Sequence, residues 1–552
     1  MNLMTCFYIF VTALFSSLIL VPYVHQWALD TGALDLPDER KVHRTAIPRV
    51  GGLAVALAFL FSLLVFVDFS REMRGIAAGG LILFATGLVD DLYGLSAKKK
   101  FCGEIFGCLI ATAISHLYIH RLGDLFGTGA IELPLWLSLP FTIFAVVGVI
   151  NAINLIDGLD GLAGGVSVIA LAAFSFLGYQ AGNYQVMLLC AGLLGGLLGF
   201  LKYNFFPARI FMGDAGSLVV GFVLAYVAIY LTQTPGSSIS PVVPLVVLGL
   251  PVVDTLRVMA KRLLRRTSPF APDRSHVHHK ILDLGFQHRY TVVVIYCLSL
   301  FWAAFALVNQ ETSEGILLIL FAAIAGAFYL GIRCVRGNRR WLSFLGADSP
   351  SSIRDSVTYK RLADLIVQMD FLIILLILAY IALTTLTGAQ TSDGVIHVTL
   401  VLVVTSILLL CIIRDTQNQF FLAMLYFSTM LLAARIVLRG GAELVSGVTL
   451  KQASDFLLLG MVAIGALRLL FRRPLEFFLA SIDYLFLGVS IFLAVVAPQV
   501  DASLQMTGVL ARGIVLFIAL KIAAMKGERH AQVLVYGMLS ALCLILVRGY
   551  LH

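Results

Sequence analysis

Asn151-Ala152-Ile153-Asn154-Leu155-Ile156-Asp157-Gly158-Leu159-Asp160-Gly161-Leu162-Ala163-Gly164-Gly165 straddles the junction of two apolar runs, near 136–155 and 165–181. Polar side chains at a membrane boundary are costly, so they are functional candidates by default. A glycine-rich turn between two spans accounts for the glycines. It does not account for two Asn and two Asp packed beside apolar helices. If the stretch is helical as far as Asp157, then Asn151, Asn154 and Asp157 lie three apart and share one face. Their side-chain oxygens suit Mg2+, and the glycines let a ligand approach the backbone closely.

The flanking runs belong to a pattern that fills the chain. Its 552 residues are 60% hydrophobic and 13% charged, with a mean hydropathy of +0.96. That is the composition of an integral membrane protein. Apolar runs of about 18–22 residues, long enough to cross the hydrocarbon core, recur throughout. The expected fold is an all-α polytopic membrane protein of roughly eighteen spans, a bundle of about eleven transmembrane helices plus about seven more toward the C-terminus. The first eleven lie near 3–24, 50–68, 74–92, 101–119, 136–155, 165–181, 186–203, 215–232, 241–261, 291–309 and 314–333. The first has no positive n-region and no clear small-residue cleavage site, so it reads as a retained helix. Residues 1–335 form one expected membrane domain. Residues 336–370 read as a cytoplasmic linker with Arg339, Arg340, Asp348 and the turn-forming run Ser349-Pro350-Ser351-Ser352. Residues 371–552 form a further transmembrane region without a recognisable motif or a convincing internal repeat.

Charge fixes the expected orientation. One set of loops holds Arg40, Lys41, Arg44, Arg49, Lys98 to Lys100, Lys202, Arg209 and the run from Lys261 through Arg274 and Lys280 to Arg289. The opposite set holds little beyond Arg71, Arg74 and Arg121. Positive-inside orientation puts the first set in the cytoplasm. Asp90, Asp91, Asp157, Asp160 and Asp214 all fall on that same face, an agreement not built into the span assignment. The net charge of +8 therefore reflects loop asymmetry and does not suggest nucleic acid. The eight cysteines show no CxxC pair and no metal spacing, and most sit inside apolar runs as small packing residues.

Four more segments share the basic face. In the first, Leu88-Val89-Asp90-Asp91 ends one span and Lys98-Lys99-Lys100 opens the next. Adjacent carboxylates repel unless a cation or proton lies between them, and the lysines can meet a phosphate. A solvated helix end is the plainer alternative. The second runs from Lys202-Tyr203-Asn204-Phe205-Phe206-Pro207 to Phe211-Met212-Gly213-Asp214. Here Asp214 is either a helix N-cap or a metal ligand, and the aromatics either mark the interface or stack on a base. The third, Pro272-Asp273-Arg274-Ser275-His276-Val277-His278-His279-Lys280, reads as a pyrophosphate clamp in preference to a transition-metal site. A solvated basic loop fits its arginines but not its histidines. The fourth, Asp35 to Gly52, includes Arg44 and taken alone reads as a positive-inside loop.

Together and in this order, the five segments resemble the polyprenyl-phosphate N-acetylhexosamine-1-phosphate transferase family (glycosyltransferase family 4) over about residues 1–335. The form Pro-Asp-Arg-x-His-x-His-His and the segment Asp35–Gly52 are most similar to the branch that moves GlcNAc-1-phosphate onto undecaprenyl phosphate. The resemblance implies a helical bundle in the bacterial cytoplasmic (inner) membrane, with its active site on the cytoplasmic face. It implies that Asp90 and Asp91 are the family's aspartate pair and Lys100 the lysine that follows. Asn154 and Asp214 would hold Mg2+, with Mn2+ as an alternative, and Asp157 would join the catalytic group. Arg44, Asp160, Asn204, Phe211, Arg274, His276, His278 and His279 would contact substrate. The implied partners are a UDP-N-acetylhexosamine, a polyprenyl phosphate, the lipid bilayer and, in a homodimer, a second copy. Family members usually end near the position of residue 335, so the remaining helices leave the physiological role open.

The reaction expected from this resemblance is attack of the lipid phosphate on the β-phosphorus of the UDP-sugar, with UMP leaving. Because both substrates are polyanions, neutralising charge is the central problem. Two rivals remain at this level. A transporter or flippase would line a path with these acids, but most of them sit at helix ends on one face. A CDP-alcohol phosphotransferase is suggested only by Asp157-Gly158 and Asp160-Gly161, without the longer spaced Gly and Asp pattern of such enzymes.

Overall fold

The computed structural model describes residues 3–35, 46–266 and 276–337. Beyond these it describes 370–386, 448–471, 506–524 and 528–551, with shorter stretches between 396 and 445. Two compact units divide the chain, one built on Met1–Gly346 with Ala480–Gly488, the other on Ala347–Leu479 and Val489–His552.

In the first unit the apolar runs fold as helices: α1 (Leu3–Thr31), α2 (Gly51–Phe66), α3 (Arg71–Tyr93), α4 (Ala97–Ser115), α5 (Leu135–Ile156), α6 (Leu162–Gln180), α7 (Tyr184–Asn204) and α8 (Gly213–Gln233). These are followed by α9 (Val242–Val247), α10 (Gly249–Leu264), α11 (Val277–Asp283), α12 (His288–Val308) and α13 (Glu314–Gly337). Two small antiparallel hairpins complete the unit, β1 (Leu34–Asp35) with β2 (Ile47–Pro48), and β3 (Arg121–Gly123) with β4 (Ile131–Glu132). Nine helices among the described residues are long and apolar enough to cross a membrane, eight of them in this unit. The protein is a multi-pass membrane protein.

The bundle centres on α8, whose apolar residues run all round the helix, as burial on every side requires. Its apolar window is 94% buried, against α2, α3, α5, α6 and α7. Helices without a hydrophobic drive to associate come together through small residues. Gly52 of α2 is such a contact: a Cβ there would stand 2.0 Å from the backbone nitrogen of Gly216 in α8. Polar ends are tied off locally. Ser70 caps α3 by accepting from the Met73 amide at 3.3 Å, and Asn183 caps α7 by accepting from Val186 at 3.2 Å.

One expected span is different. The run 241–261 is not a single helix but α9 and α10, broken at Leu248. The cause is Pro251, which has no N–H to donate to the Val247 carbonyl and whose ring crowds that position. The first helix also continues past its expected end to Thr31. α4 starts earlier than expected, at Ala97, and carries Lys98, Lys99, Lys100 and Glu104.

In the second unit, helices span Asp370–Leu386, Leu450–Phe471, Met506–Ala524 and Glu528–Leu551 and pack on one another. The linker expected over 336–370 lies outside the described residues except at its ends.

Candidate active site

Helices alternate in direction through the first unit. The C-terminal ends of α3, α5 and α7 therefore meet the N-terminal ends of α2, α4, α6 and α8 at one end of the bundle. Asp90, Lys100, Asn154 and Asp214 come together there from four helices. Lys100 Nζ lies 2.5 Å from Oδ1 of Asp214 and 3.3 Å from Oδ2 of Asp90. The Asn154 amide donates to the same Asp214 Oδ1 at 2.5 Å and to Ser217 Oγ at 2.8 Å. A helix end that buries unpaired acids is unstable unless positive charge is near. Here one ammonium bridges two carboxylates.

Asp91 faces another way. It is 3% exposed, and its two oxygens accept from the backbone amides of Asp214 and Ala215, each at 2.9 Å. A carboxylate at a helix N-terminus satisfies orphan amides and complements the dipole. Asp91 therefore fixes the start of α8, and with it Asp214. Arg49 donates its Nε to the Asp91 carbonyl at 2.9 Å. The glycine pair grips the other side, with Gly51 N–H donating to Phe211 O and Gly52 N–H to Met212 O at 2.9 and 2.7 Å. The Phe211 amide in turn donates to Pro48 O at 2.7 Å. Residues Pro48 to Gly52, the described end of a segment weak as an isolated motif, are thus part of the wall that seats Asp214.

Asp157 follows directly on α5. Its carboxylate has no hydrogen-bond partner among the described residues. Burial, followed by the charges of Asp214, Asp91 and Asp160, pushes it up to about 7. Asp160 lies in a second cluster. Its Oδ2 accepts from the Ala208 amide at 2.9 Å, while its own amide donates to His288 Nε2 at 3.0 Å. Asn204 is buried beside it, accepting from Gly161 N–H at 3.0 Å and donating to Ile210 O at 2.9 Å. Both ends of that amide hold the two loops together. Tyr296 adds a third tie, its hydroxyl donating to Gly161 O at 2.6 Å.

The histidines close the same loop. His278, 2% exposed, sits over Gly158, where a Cβ would stand 2.7 Å from the imidazole Nε2. Only glycine lets the ring come so close. The rings of His278 and His279 have centroids 4.2 Å apart, and His276 lies parallel to His278 at 5.9 Å. His276 is held by Asp254 of α10, Nδ1 to Oδ2 at 2.9 Å. Arg44 and Arg274 lie outside the described residues.

Several residues of this site escape sequence reasoning. Glu104 is 1% exposed and accepts from the Asn151 amide at 2.7 Å. It stands four residues after Lys100 on one helix face, so that spacing was a signal. Asp254 was a lone acid inside an apolar run, which is the same signal that singles out Asp90. His288 and Tyr296 carried none.

Among the described residues, no group of three His, Cys, Asp or Glu side chains has metal-binding spacing. The carboxylate of Asp214 and the side chain of Asn154 beside it fit a Mg2+ ion, which uses one or two carboxylates and leaves positions for water and phosphate.

The model of glycosyl transferase family 4 matches residues 73–232, which include this whole carboxylate cluster. Among relatives, a Bacillus subtilis (strain 168) protein is named "Probable undecaprenyl-phosphate N-acetylglucosaminyl 1-phosphate transferase". It is 37% identical over 317 residues, 57% of this chain and 88% of that relative. Proteins named undecaprenyl-phosphate alpha-N-acetylglucosaminyl 1-phosphate transferase are similar too. The one from Yersinia pestis is 31% identical over 57% of this chain and 86% of its own length. The one from Escherichia coli (strain K12) is 30% identical over 59% of this chain and 89% of its own.

Proposed function

Because this chain belongs to glycosyl transferase family 4, we propose that it transfers GlcNAc-1-phosphate from UDP-GlcNAc to undecaprenyl phosphate, releasing UMP and starting a lipid-linked envelope glycan. The observation that carries this reading is the meeting of Asp90, Lys100 and Asn154 at one oxygen-rich point around Asp214. Such a point is what two polyanionic substrates need in order to approach each other.

An oxygen of the lipid phosphate attacks the β-phosphorus. The bond from that phosphorus to the bridging oxygen breaks, and UMP departs with the electron pair. The lipid phosphate is largely ionised near neutral pH, so the step needs little proton removal. Asp214 and Asn154 would hold Mg2+, or Mn2+ in its place. That ion, when bound, neutralises pyrophosphate charge. Lys100 would offer its ammonium to phosphate oxygens. Asp91 holds Asp214 in place through the α8 backbone. The histidines, of which His278 sits over Gly158, would meet the donor's phosphates, and Phe211 would lie against the uracil. Basic loops at this end support a cytoplasmic active site in the bacterial inner membrane.

The test is UMP release from UDP-GlcNAc with undecaprenyl phosphate and Mg2+, read with the mass of the lipid product. A pyrophosphoryl-linked N-acetylhexosamine supports the reading. Proteoliposome uptake of a solute without UMP formation would favour the transporter instead.

A further inference from the structure

The histidine segment needs something to hold it, because α11 has only seven residues and follows a polar loop. A helix so short has little stability of its own. Besides the burial of Val277 and Ile281, what holds it is a buried carboxylate. Asp254 is 3% exposed and accepts four hydrogen bonds. Its Oδ2 takes His276 Nδ1 at 2.9 Å. Its Oδ1 takes the Val277 amide, the Arg257 guanidinium and the Tyr329 hydroxyl, each at 3.0 Å. The donors come from α10 itself, from the start of α11 and from α13. The guanidinium of Arg257 also stacks over the Tyr329 ring at 4.5 Å. A buried carboxylate in an apolar run is expensive unless every lone pair is met, and here the set is nearly full.

This arrangement settles which histidine nitrogen is available. A carboxylate on one ring nitrogen fixes the proton there and orients the ring. Nδ1 of His276 is taken by Asp254, while Nε2 has no hydrogen-bond partner among the described residues. His276 is 5% exposed and its Nε2 is not fully sealed off, whereas His278 Nδ1 is buried without a partner. His276 and His278 thus differ in what they can offer. One is braced with a free nitrogen, the other packs over Gly158.

Resting on the transferase reading above, we propose that Asp254 is a positioning residue for the donor-phosphate clamp. It holds His276 by Nδ1 and pins the first turn of α11 through Val277, so that Nε2 of His276 is presented to the phosphates of the UDP-sugar. Asp254 itself touches no substrate. Its effect on turnover passes entirely through His276.

A double-mutant cycle on the full chain tests this. UMP release is measured for wild type, Asp254→Asn, His276→Ala and the double variant, at saturating and limiting UDP-GlcNAc, with folding checked by thermal unfolding in detergent. Each single change is expected to lower kcat/KM by about tenfold to a hundredfold, the range seen when a partner that orients a ligand is removed. The double variant is expected to fall no further than His276→Ala alone, because the two act as one unit. Tyr329→Phe removes one Asp254 bond without touching His276, and is expected to stay within about threefold of wild type. Losses that multiply in the double variant would overturn the proposal. So would a Tyr329→Phe loss as large as that of Asp254→Asn. Should Asp254→Asn not accumulate as folded protein, Asp254→Glu carries the same cycle, and failure of both marks Asp254 as a purely structural brace and ends the proposal. A wild-type protein that releases no UMP would refute the transferase reading itself, whereas an active wild type with a multiplicative cycle refutes only the role of Asp254.

Discussion

His278 shows how burial sets the chemistry of a single residue. Burial, followed by the charges of His279 and His276, holds its imidazole down at about 3. An unfolded chain takes up that proton near the ordinary histidine value of about 6.5. Between those values the unfolded state binds more protons than the folded one. Stability therefore falls as the pH drops through that window, by at most about 1.4 kcal/mol per pH unit. The thermal unfolding midpoint in detergent is expected to fall between about pH 7 and about pH 5, and to fall less in His278→Gln. Equal slopes for the two proteins would contradict the assignment. At this scale the sequence was most readable for residues whose type is costly where they stand. Asp90, Asp157 and Asp214 are such residues, and so is Asp254, which the same rule would have found. The roles inside a cluster were less readable. Asp90 and Asp91 are neighbours in sequence, yet one meets Lys100 and the other caps α8, because successive residues on a helix point about 100° apart.

At the scale of elements, the site depends on where α8 begins. Asp91 supplies both hydrogen bonds to its first amides. Asp91→Ala should cost about 1–2 kcal/mol as a lost cap. It should lower UMP release by about a hundredfold, since a displacement of about 1 Å at a reacting group has that effect. Unfolding and turnover measured on the same preparation check this, and a variant that loses stability but keeps full turnover would contradict it. Helix periodicity and length placed most elements, because an apolar run of about twenty residues has few alternatives in a bilayer. The α9–α10 break was legible in principle, since Pro251 is visible in the sequence. It was missed because a hydropathy window treats proline as merely another residue. The pairing of Gly52 with Gly216, which seats α2 on α8, depends on contact between distant segments and has no local signature.

At the scale of the whole molecule, every residue placed in the site lies within the first unit, between Pro48 and Tyr329. The 317 residues shared with the Bacillus subtilis relative make up 57% of the chain. A chain cut after residue 346 is therefore expected to release UMP at the full chain's rate per folded molecule. Complete loss of activity in a folded truncate would show that the second unit takes part in the reaction. That unit has its own charge pair, buried Arg512 with exposed Asp455, near Tyr380. No motif in its sequence pointed to a chemistry, because composition identifies a span but not its purpose.

The central claim is that Asp214, seated by Asp91 and met by Lys100 and Asn154, anchors the charge neutralisation that lets the two substrates react. The most direct measurement is the rate of UMP release by Asp214→Asn against wild type across a Mg2+ titration, with UDP-GlcNAc and undecaprenyl phosphate both present. The account predicts a fall of about a thousandfold, with no recovery at high Mg2+. An Asp214→Asn protein that turns over like wild type, with an unchanged Mg2+ response, would contradict it.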